Sequence, residues 1–275
     1  MTTILVATDL SDGARNAIDL AVLLARSQGA GLLLLQSVTD YPTPETLGVP
    51  PAPVDEADSP PTANADLEQK AAQIRAQGVV CEIKLDTGSV TESIRRVIGQ
   101  QPVDLVVVGR TSTGNWFTEL FGSQASDLVS ALMVPVLMVP PDWTLTDINQ
   151  IAYATQLEFD ETDALRQVFD LAKSLTASVF LLKVNVPFEP NIHPDADYLN
   201  DIRKAFPGES YEVITRDADT VSEGVVAIAQ EIGADLLVLT SHHRNLLTQL
   251  INPSKARQVL VTSSLPTLVF PLESL

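Results

Sequence analysis

The sequence predicts an α/β chain of two similar domains, each with a five-stranded parallel sheet covered by helices on both faces. The first observation is an internal repeat, because residues 4–35 align with residues 151–182 at a constant offset of 147. The second is the alternation, in each copy, of short apolar runs with longer segments of helical period. Strands that alternate with helices form parallel sheets, since each helix carries the chain back to the start of the next strand.

The repeat resumes later in each copy at an offset of 131, where Pro135 aligns with Pro266. The second copy is therefore 16 residues shorter in between. The surplus falls in residues 41–64, whose proline and acidic residues follow no apolar period and predict an exposed loop. We predict domains at residues 1–141 and 147–275, with a linker at residues 142–150.

In the first copy we predict a strand at each apolar run and a helix between successive strands. The strands are residues 4–8, 32–38, 79–85, 105–108 and 136–139. The helices are residues 14–27, 67–77, 91–99 and 123–132. The run at 32–38 begins with unbroken apolar residues, as expected of a strand buried on both faces. The second copy repeats this order, so we expect two Rossmann-like domains.

The composition predicts a soluble chain with an acidic surface. Hydrophobic residues make up 45% of the sequence, which is enough for a sizeable core. The net charge of −18 repels nucleic acid and anionic lipid, so we expect neither as a partner. The apolar runs are too short to span a membrane, and the first residues lack the basic start of a signal peptide. We therefore expect a cytoplasmic protein.

Cysteine and histidine do not form a recognisable site. Cys81 is the sole cysteine and lies in a predicted strand, so we expect a small buried side chain. His242 and His243 are adjacent and point different ways, and His193 lies in a separate loop. We predict no metal site. Common catalytic motifs are also missing from the sequence, so we do not expect an enzyme.

The strongest candidate site follows the fourth strand, since ligands of parallel sheets bind at the carboxyl ends of strands. Gly109 comes directly after that strand, Gly114 lies among turn residues, and Gly122 with Ser123 opens a predicted helix. Glycines and helix N-termini suit a phosphate, although glycines that only relieve turns are an equal alternative. Arg110 has the same two interpretations, as a phosphate contact or as a solvated side chain.

With these residues in view, the whole chain resembles the universal stress protein family in its tandem two-domain form. Nucleotide-binding members carry a Gly, two residues, a Gly, nine residues, and then Gly-Ser or Gly-Thr. Gly109 takes the first place here, Ser112 stands where the second Gly is expected, and Gly122-Ser123 follow at the correct spacing. The resemblance implies Rossmann-like domains of the adenine nucleotide alpha hydrolase-like type.

The same resemblance implies the ligand and its other contacts. The family's aspartate after the first strand falls on Asp9, and its backbone contact to adenine falls at about Ser37. The hydroxyl of Ser112 adds a donor, and Gly114 supplies flexibility two residues later. The implied ligand is ATP, or AMP or ADP, with magnesium as a companion ion. It is bound by the N-terminal domain, and the implied role lies in stress response or signalling.

The second copy has lost the motif, so we expect no cofactor there. Proline has no N–H group, and its ring occupies the space that a phosphate needs. The residues that replace Gly109, Ser112 and Gly122 are Thr240, His243 and Pro253.

Three alternatives follow for function and assembly. The leading one is an adenine-nucleotide-binding protein with a protein partner, in which fast hydrolysis is not expected and slow ATP hydrolysis stays open. The second is a nucleotide-independent interaction protein, in which Ser112 marks a lost site. The third is an adenylyl-transfer enzyme, which needs a further substrate pocket. We expect the two domains to pair through their last strands, residues 136–139 and 267–270, and whole chains to be able to form a homodimer.

Overall fold

A computed structural model describes residues 2–38, 61–110, 132–144, 147–155, 161–187, 195–242, 259 and 263–272. The strands are β1 Thr3–Ala7, β2 Gly31–Val38, β3 Cys81–Thr87, β4 Leu105–Gly109, β5 Val136–Val139, β6 Gln150–Ala154, β7 Ser178–Asn185, β8 Tyr211–Asp217, β9 Leu236–His242 and β10 Thr267–Leu272. The helices are α1 Asp12–Gln28, α2 Pro61–Arg75, α3 Val90–Gln100, α4 Thr162–Leu175, α5 Asp195–Ala205 and α6 Val221–Glu231.

The strands form one sheet in the order β3-β2-β1-β4-β5-β10-β9-β6-β7-β8. Within each half the five strands are parallel, which confirms the predicted fold class. Several predicted boundaries shift by one to six residues, and the starts of the third strand and the second helix are two of them. The strand predicted from Val79 begins at Cys81, and α2 begins at Pro61, inside the predicted loop, because proline suits the first turn of a helix. Residues 41–60 and 123–131 lie outside the described residues.

The apolar runs are explained by burial on both faces of the sheet. Leu34 belongs to a core cluster on the face covered by α1 and α4, whereas the next residue, Leu35, belongs to the cluster on the opposite face. Consecutive side chains of a strand point to opposite faces, so a strand buried on both sides needs apolar residues throughout. The first cluster contains residues of both halves, which makes it a shared core.

The two halves meet where β5 pairs with β10. This pairing is antiparallel, with Leu137 opposite Leu268, and it confirms the predicted contact between the last strands. Strands of the two halves therefore run in opposite directions, and their carboxyl ends lie at opposite edges of the sheet. The predicted linker packs inward, because Trp143 and Ile148 are buried in the shared core, and Gln150 already belongs to β6.

Within the described ranges, no helix is both long enough and apolar enough to cross a bilayer.

The shared core predicts that both halves unfold together. Leu137→Ala removes a fully buried side chain at the junction and should lower the free energy of unfolding by about 2–5 kcal/mol. Urea denaturation followed by circular dichroism should show one transition, shifted as a whole. Leu85→Ala is the matched control, because Leu85 is 40% exposed, and it should change stability far less. Two separate transitions, of which Leu137→Ala shifts only one, would show that the halves unfold independently.

Candidate functional site

A small pocket lies at the carboxyl ends of β1, β2 and β4 in the first half. Its volume is about 60 Å³. We call it the first pocket. It brings together three of the predicted site residues, Asp9, Ser37 and Gly109. The lining residues are Ala7, Thr8, Asp9, Ala14, Leu35, Ser37, Val90 and Gly109.

The turn between β1 and α1 is held by its own side chains. The Thr8 hydroxyl accepts a hydrogen bond from the N–H of Leu10 at 2.9 Å, and the Asp9 carboxylate accepts one from the N–H of Ser11 at 3.0 Å. Leu10 has a φ of +59°, an unfavourable value for a residue with a side chain. Ser11 then caps α1 by accepting from the N–H of Ala14. Asp9 is left exposed at the rim of the pocket.

Gly109 lies where β4 passes the start of α1. A Cβ atom on this residue would stand 3.0 Å from the carbonyl oxygen of Gly13 and 3.2 Å from the Cα of Ala14. Both neighbours are backbone atoms, which cannot move aside as a flexible side chain can. Gly109 therefore has a packing role, because it lets the end of β4 approach the N-terminus of α1.

Ser37 contributes a polar floor on the β2 side. Its hydroxyl donates to the carbonyl oxygen of Gly88 at 2.8 Å and accepts from the hydroxyl of Ser93 at 3.1 Å. Gly88 has a φ of +107°, which favours glycine and lets the chain turn from β3 toward α3. The side chain of Ser37 is thus engaged within the protein, and a ligand would meet the backbone here.

Arg110 crosses to the second half of the chain. Its guanidinium donates to the carbonyl oxygen of Ser263 at 2.9 Å. Burial lowers the pKa of Arg110, and the nearby Asp142 opposes that shift. The backbone N–H of Arg110 also donates a hydrogen bond to the carbonyl oxygen of Val139. The structure therefore links the edge of the first pocket to the segment before β10, and the phosphate contact of Arg110 stays a prediction.

The remaining predicted contacts, Ser112, Gly114, Gly122 and Ser123, lie outside the described residues, as do His243 and Pro253 of the second copy. In the part of the chain that the structure describes, no group of three or more His, Cys, Asp or Glu side chains is placed to hold a metal ion. Cys81 is buried, and burial raises the pKa of its thiol to about 11, so the thiol is a weak nucleophile.

The equivalent place in the second half holds a buried carboxyl group. Glu161 is 3% exposed. Its Oε2 accepts hydrogen bonds from Thr155 at 2.5 Å and from Tyr198 at 3.3 Å, and its Oε1 accepts one from Thr240 at 2.8 Å. By the repeat, Glu161 stands where the first half has Ala14, and Thr240 stands where it has Gly109.

Two further positions of the second half are filled by apolar packing. Val184 replaces Ser37 and Gly224 replaces Ser93 in the repeat. A Cβ on Gly224 would lie only 2.6 Å from Cγ1 of Val184, so a glycine at this position leaves room for the valine side chain. The hydroxyl pair of the first half thus becomes an apolar contact.

Burial raises the pKa of Glu161 to about 7, although hydrogen bonds from Thr155, Thr240 and Tyr198 oppose the shift. The hydroxyl of Tyr153 is buried near the same carboxyl, and burial raises the pKa of Tyr153 well above its ordinary value. Lys183 on β7 is also buried and follows Leu182, the residue that pairs with Ala154.

Sequence reasoning missed Glu161. An acidic residue just before a helix normally marks an exposed N-terminal turn, where it favours the helix dipole. The available signal was its alignment with the small Ala14 within an otherwise similar repeat.

Comparison with known proteins gives a family and a fold. The model of the universal stress protein family matches residues 1–140 and again residues 148–271. A universal stress protein from Archaeoglobus fulgidus DSM 4304 is similar over 98% of both chains, with 17% identity and a TM-score of 0.73. A functionally unknown protein from Pseudomonas aeruginosa PAO1 matches 98% of this chain and 92% of its own, with 17% identity and a TM-score of 0.64. At such identities these likenesses show the fold alone.

A more distant likeness is the cytoplasmic domain of a prokaryotic cation chloride cotransporter, with 11% identity, coverage of 98% of this chain and 94% of that one, and a TM-score of 0.54. Among proteins with curated functions, no match to this chain is found.

The packing of Gly109 predicts opposite effects for two glycine substitutions. Gly109→Ala forces a Cβ against the backbone of α1 and should destabilise the protein by about 1–3 kcal/mol. Gly99→Ala is the control, because it lies in α3 with open space around it and should stabilise by about 0.5–1 kcal/mol. Urea unfolding measures both. Equal effects of the two substitutions would contradict the close approach at Gly109.

The buried Glu161 predicts a pH-dependent stability. Its pKa is about 7 in the folded protein, against an ordinary value of 4.5, so the folded state holds this proton more tightly than the unfolded state. The contribution of this group is complete below about pH 4.5 and is lost as the pH rises through 7, by about 3 kcal/mol. Urea unfolding from pH 4.5 to 8 should therefore show the wild type losing stability relative to Glu161→Gln. A difference that does not change with pH would contradict the assignment.

Proposed function

The chain belongs to the universal stress protein family, and on that premise we propose that its first half binds ATP or a related adenine nucleotide. The proposed role is in stress response or signalling. The observation that carries the proposal is the contrast between the two halves. Three lining positions of the first pocket hold small residues, Ala14, Ser37 and Gly109. The equivalent positions of the second half hold the larger Glu161, Val184 and Thr240.

The position of the first pocket supports a ligand. In the strand order β3-β2-β1-β4-β5, the chain moves outward from β1 to β3 and then crosses back to β4. Parallel α/β sheets bind ligands where the order reverses, outside the carboxyl ends of the strands. Asp9 lies just after β1 and Gly109 is the last residue of β4, the two strands that flank this point.

The start of α1 supports an anionic ligand. The helix has 17 residues, and its first N–H groups point toward the carboxyl edge of the sheet. Gly109 brings β4 against this helix end without a side chain in between. A phosphate placed before α1 would meet the N–H groups of the first helical turn, with Asp9 at the rim for the sugar hydroxyls or the companion magnesium ion.

We propose binding rather than turnover. Asp9 is the titratable side chain among the described lining residues, and it is exposed and already bonded to the N–H of Ser11. A general base for hydrolysis would need a tuned pKa and a fixed place beside the attacking water. Arg110 lies next to the pocket and donates to the carbonyl oxygen of the buried Ser263, which gives a route by which ligand binding could affect the segment before β10. We further propose a cytoplasmic location and a protein partner.

The proposal predicts one nucleotide per chain. Calorimetric titration of the protein with ATP and magnesium should give a stoichiometry near one, and Asp9→Asn should weaken binding by about tenfold through loss of one charged contact. Asp147→Asn is the matched control, because Asp147 is an exposed carboxylate of the linker and the charge change is identical. Denaturation of the purified protein followed by mass spectrometry should identify an adenine nucleotide carried from the cell.

A stoichiometry of two would contradict the filled second half. An absence of both bound nucleotide and heat of binding would instead favour the interaction protein, with Ser112→Gly as the change that tests whether a lost site can be restored.

A further inference from the structure

We infer that the side chain of Glu161 fills the second pocket and thereby prevents an anionic ligand from binding there. The second pocket is defined as the space at the carboxyl ends of β6 and β9 that Thr155, Glu161, Tyr198 and Thr240 surround. The inference goes beyond the proposed nucleotide site in the first half, and its main test involves no nucleotide.

The hydrogen bonds of Glu161 are those that a bound anion would receive. Three hydroxyl groups converge on its two oxygens, one from the residue after β6, one from α5 and one from β9. Hydroxyls within about 3 Å of a carboxylate are equally able to hold a phosphate or a small carboxylic acid. The pocket therefore keeps its donors, and the protein itself supplies the acceptor.

Glu161 does not serve the helix that it precedes. It occupies the N-cap position of α4, yet its side chain makes no capping hydrogen bond to that helix. Instead, the carboxyl group reaches across the sheet edge to Thr240, 79 residues away in the chain. A buried carboxyl group is costly, so an exposed capping residue would be the simpler choice if only the helix mattered. Filling the pocket is the role that its contacts support.

The residue that Glu161 replaces shows the consequence of its absence. In the first half this position is Ala14, which lines the open pocket beside Thr8 and Gly109. Thr8 and Thr155 are the same residue type at equivalent places, but their hydroxyls differ in use. Thr8 accepts from the N–H of Leu10, whereas Thr155 donates to Glu161. The partner of this threonine hydroxyl therefore changes from a backbone N–H in the first half to an internal carboxyl group in the second.

The main test is chemical rescue by small anions. Glu161→Ala should lower the thermal midpoint and leave three hydroxyl donors around a cavity. Acetate or inorganic phosphate, added at pH 7.5 against sodium chloride of equal ionic strength, should raise the midpoint of this variant by about 3 °C in a saturable manner. The wild type and Glu161→Gln should show no such response, because their pockets stay filled.

The inference is overturned if Glu161→Ala is as stable as the wild type, or if acetate and phosphate act on it no more than chloride does. Should the alanine variant fail to fold, Glu161→Ser is the second variant, since its hydroxyl retains part of the network, and the same saturable rescue is required of it. These outcomes do not depend on nucleotide binding by the first half.

The reciprocal change tests the same residue in the first pocket. Ala14→Glu places a carboxyl group beside Thr8 and Gly109 and should reduce ATP binding by at least about tenfold, whereas Ala72→Glu, the same change on the exposed side of α2, should bind like the wild type. Normal ATP binding by a folded Ala14→Glu protein would contradict the inference. This arm rests on the proposed function, and the wild-type titration reports separately whether that function holds.

Discussion

The antiparallel hydrogen bonding between β5 and β10 is the constraint on which the remaining architecture depends. It joins two parallel half-sheets into one sheet, and it reverses the strand direction at the centre. The carboxyl ends of the two halves consequently face opposite edges, so their pockets cannot merge into one cleft. The same pairing brings the segment before β10 close to the end of β4, which is why Arg110 of the first half reaches Ser263 of the second.

Within this symmetric frame the two pockets have diverged in chemistry. The first retains small side chains and a polar pair, Ser37 and Ser93, at the β2 side. The second replaces that pair with a tight contact between Val184 and Gly224, and it supplies its own acid in Glu161. These changes compensate one another in volume and hydrogen bonding, as expected of a close-packed interior in which buried polar groups are hydrogen-bonded. The fold survives because the backbone frame is unchanged.

The sequence predicted the frame better than the pockets. Runs such as 32–38 and 136–139 are reliable because burial on both faces demands apolar residues without interruption. The sequence singled out Gly109 as a candidate phosphate contact, which stays a prediction. Its contact with Gly13 and Ala14 arises from helix-strand packing that no linear pattern reports. Glu161 escaped notice for a related reason. A charged residue in a sequence normally indicates a side chain exposed to solvent. Only the hydrogen bonds from the residue after β6, from α5 and from β9 show that this carboxyl group is buried.

The central claim is that one half offers an open pocket and the other half fills its own. A crystal structure of the protein grown with a non-hydrolysable ATP analogue and magnesium tests it most directly. We expect electron density for one nucleotide per chain, at the carboxyl ends of β1 and β4 beside Asp9 and Gly109. Glu161 should still accept hydrogen bonds from Thr155 and Thr240. A nucleotide at the carboxyl ends of β6 and β9, with Glu161 displaced from those hydroxyls, would contradict it.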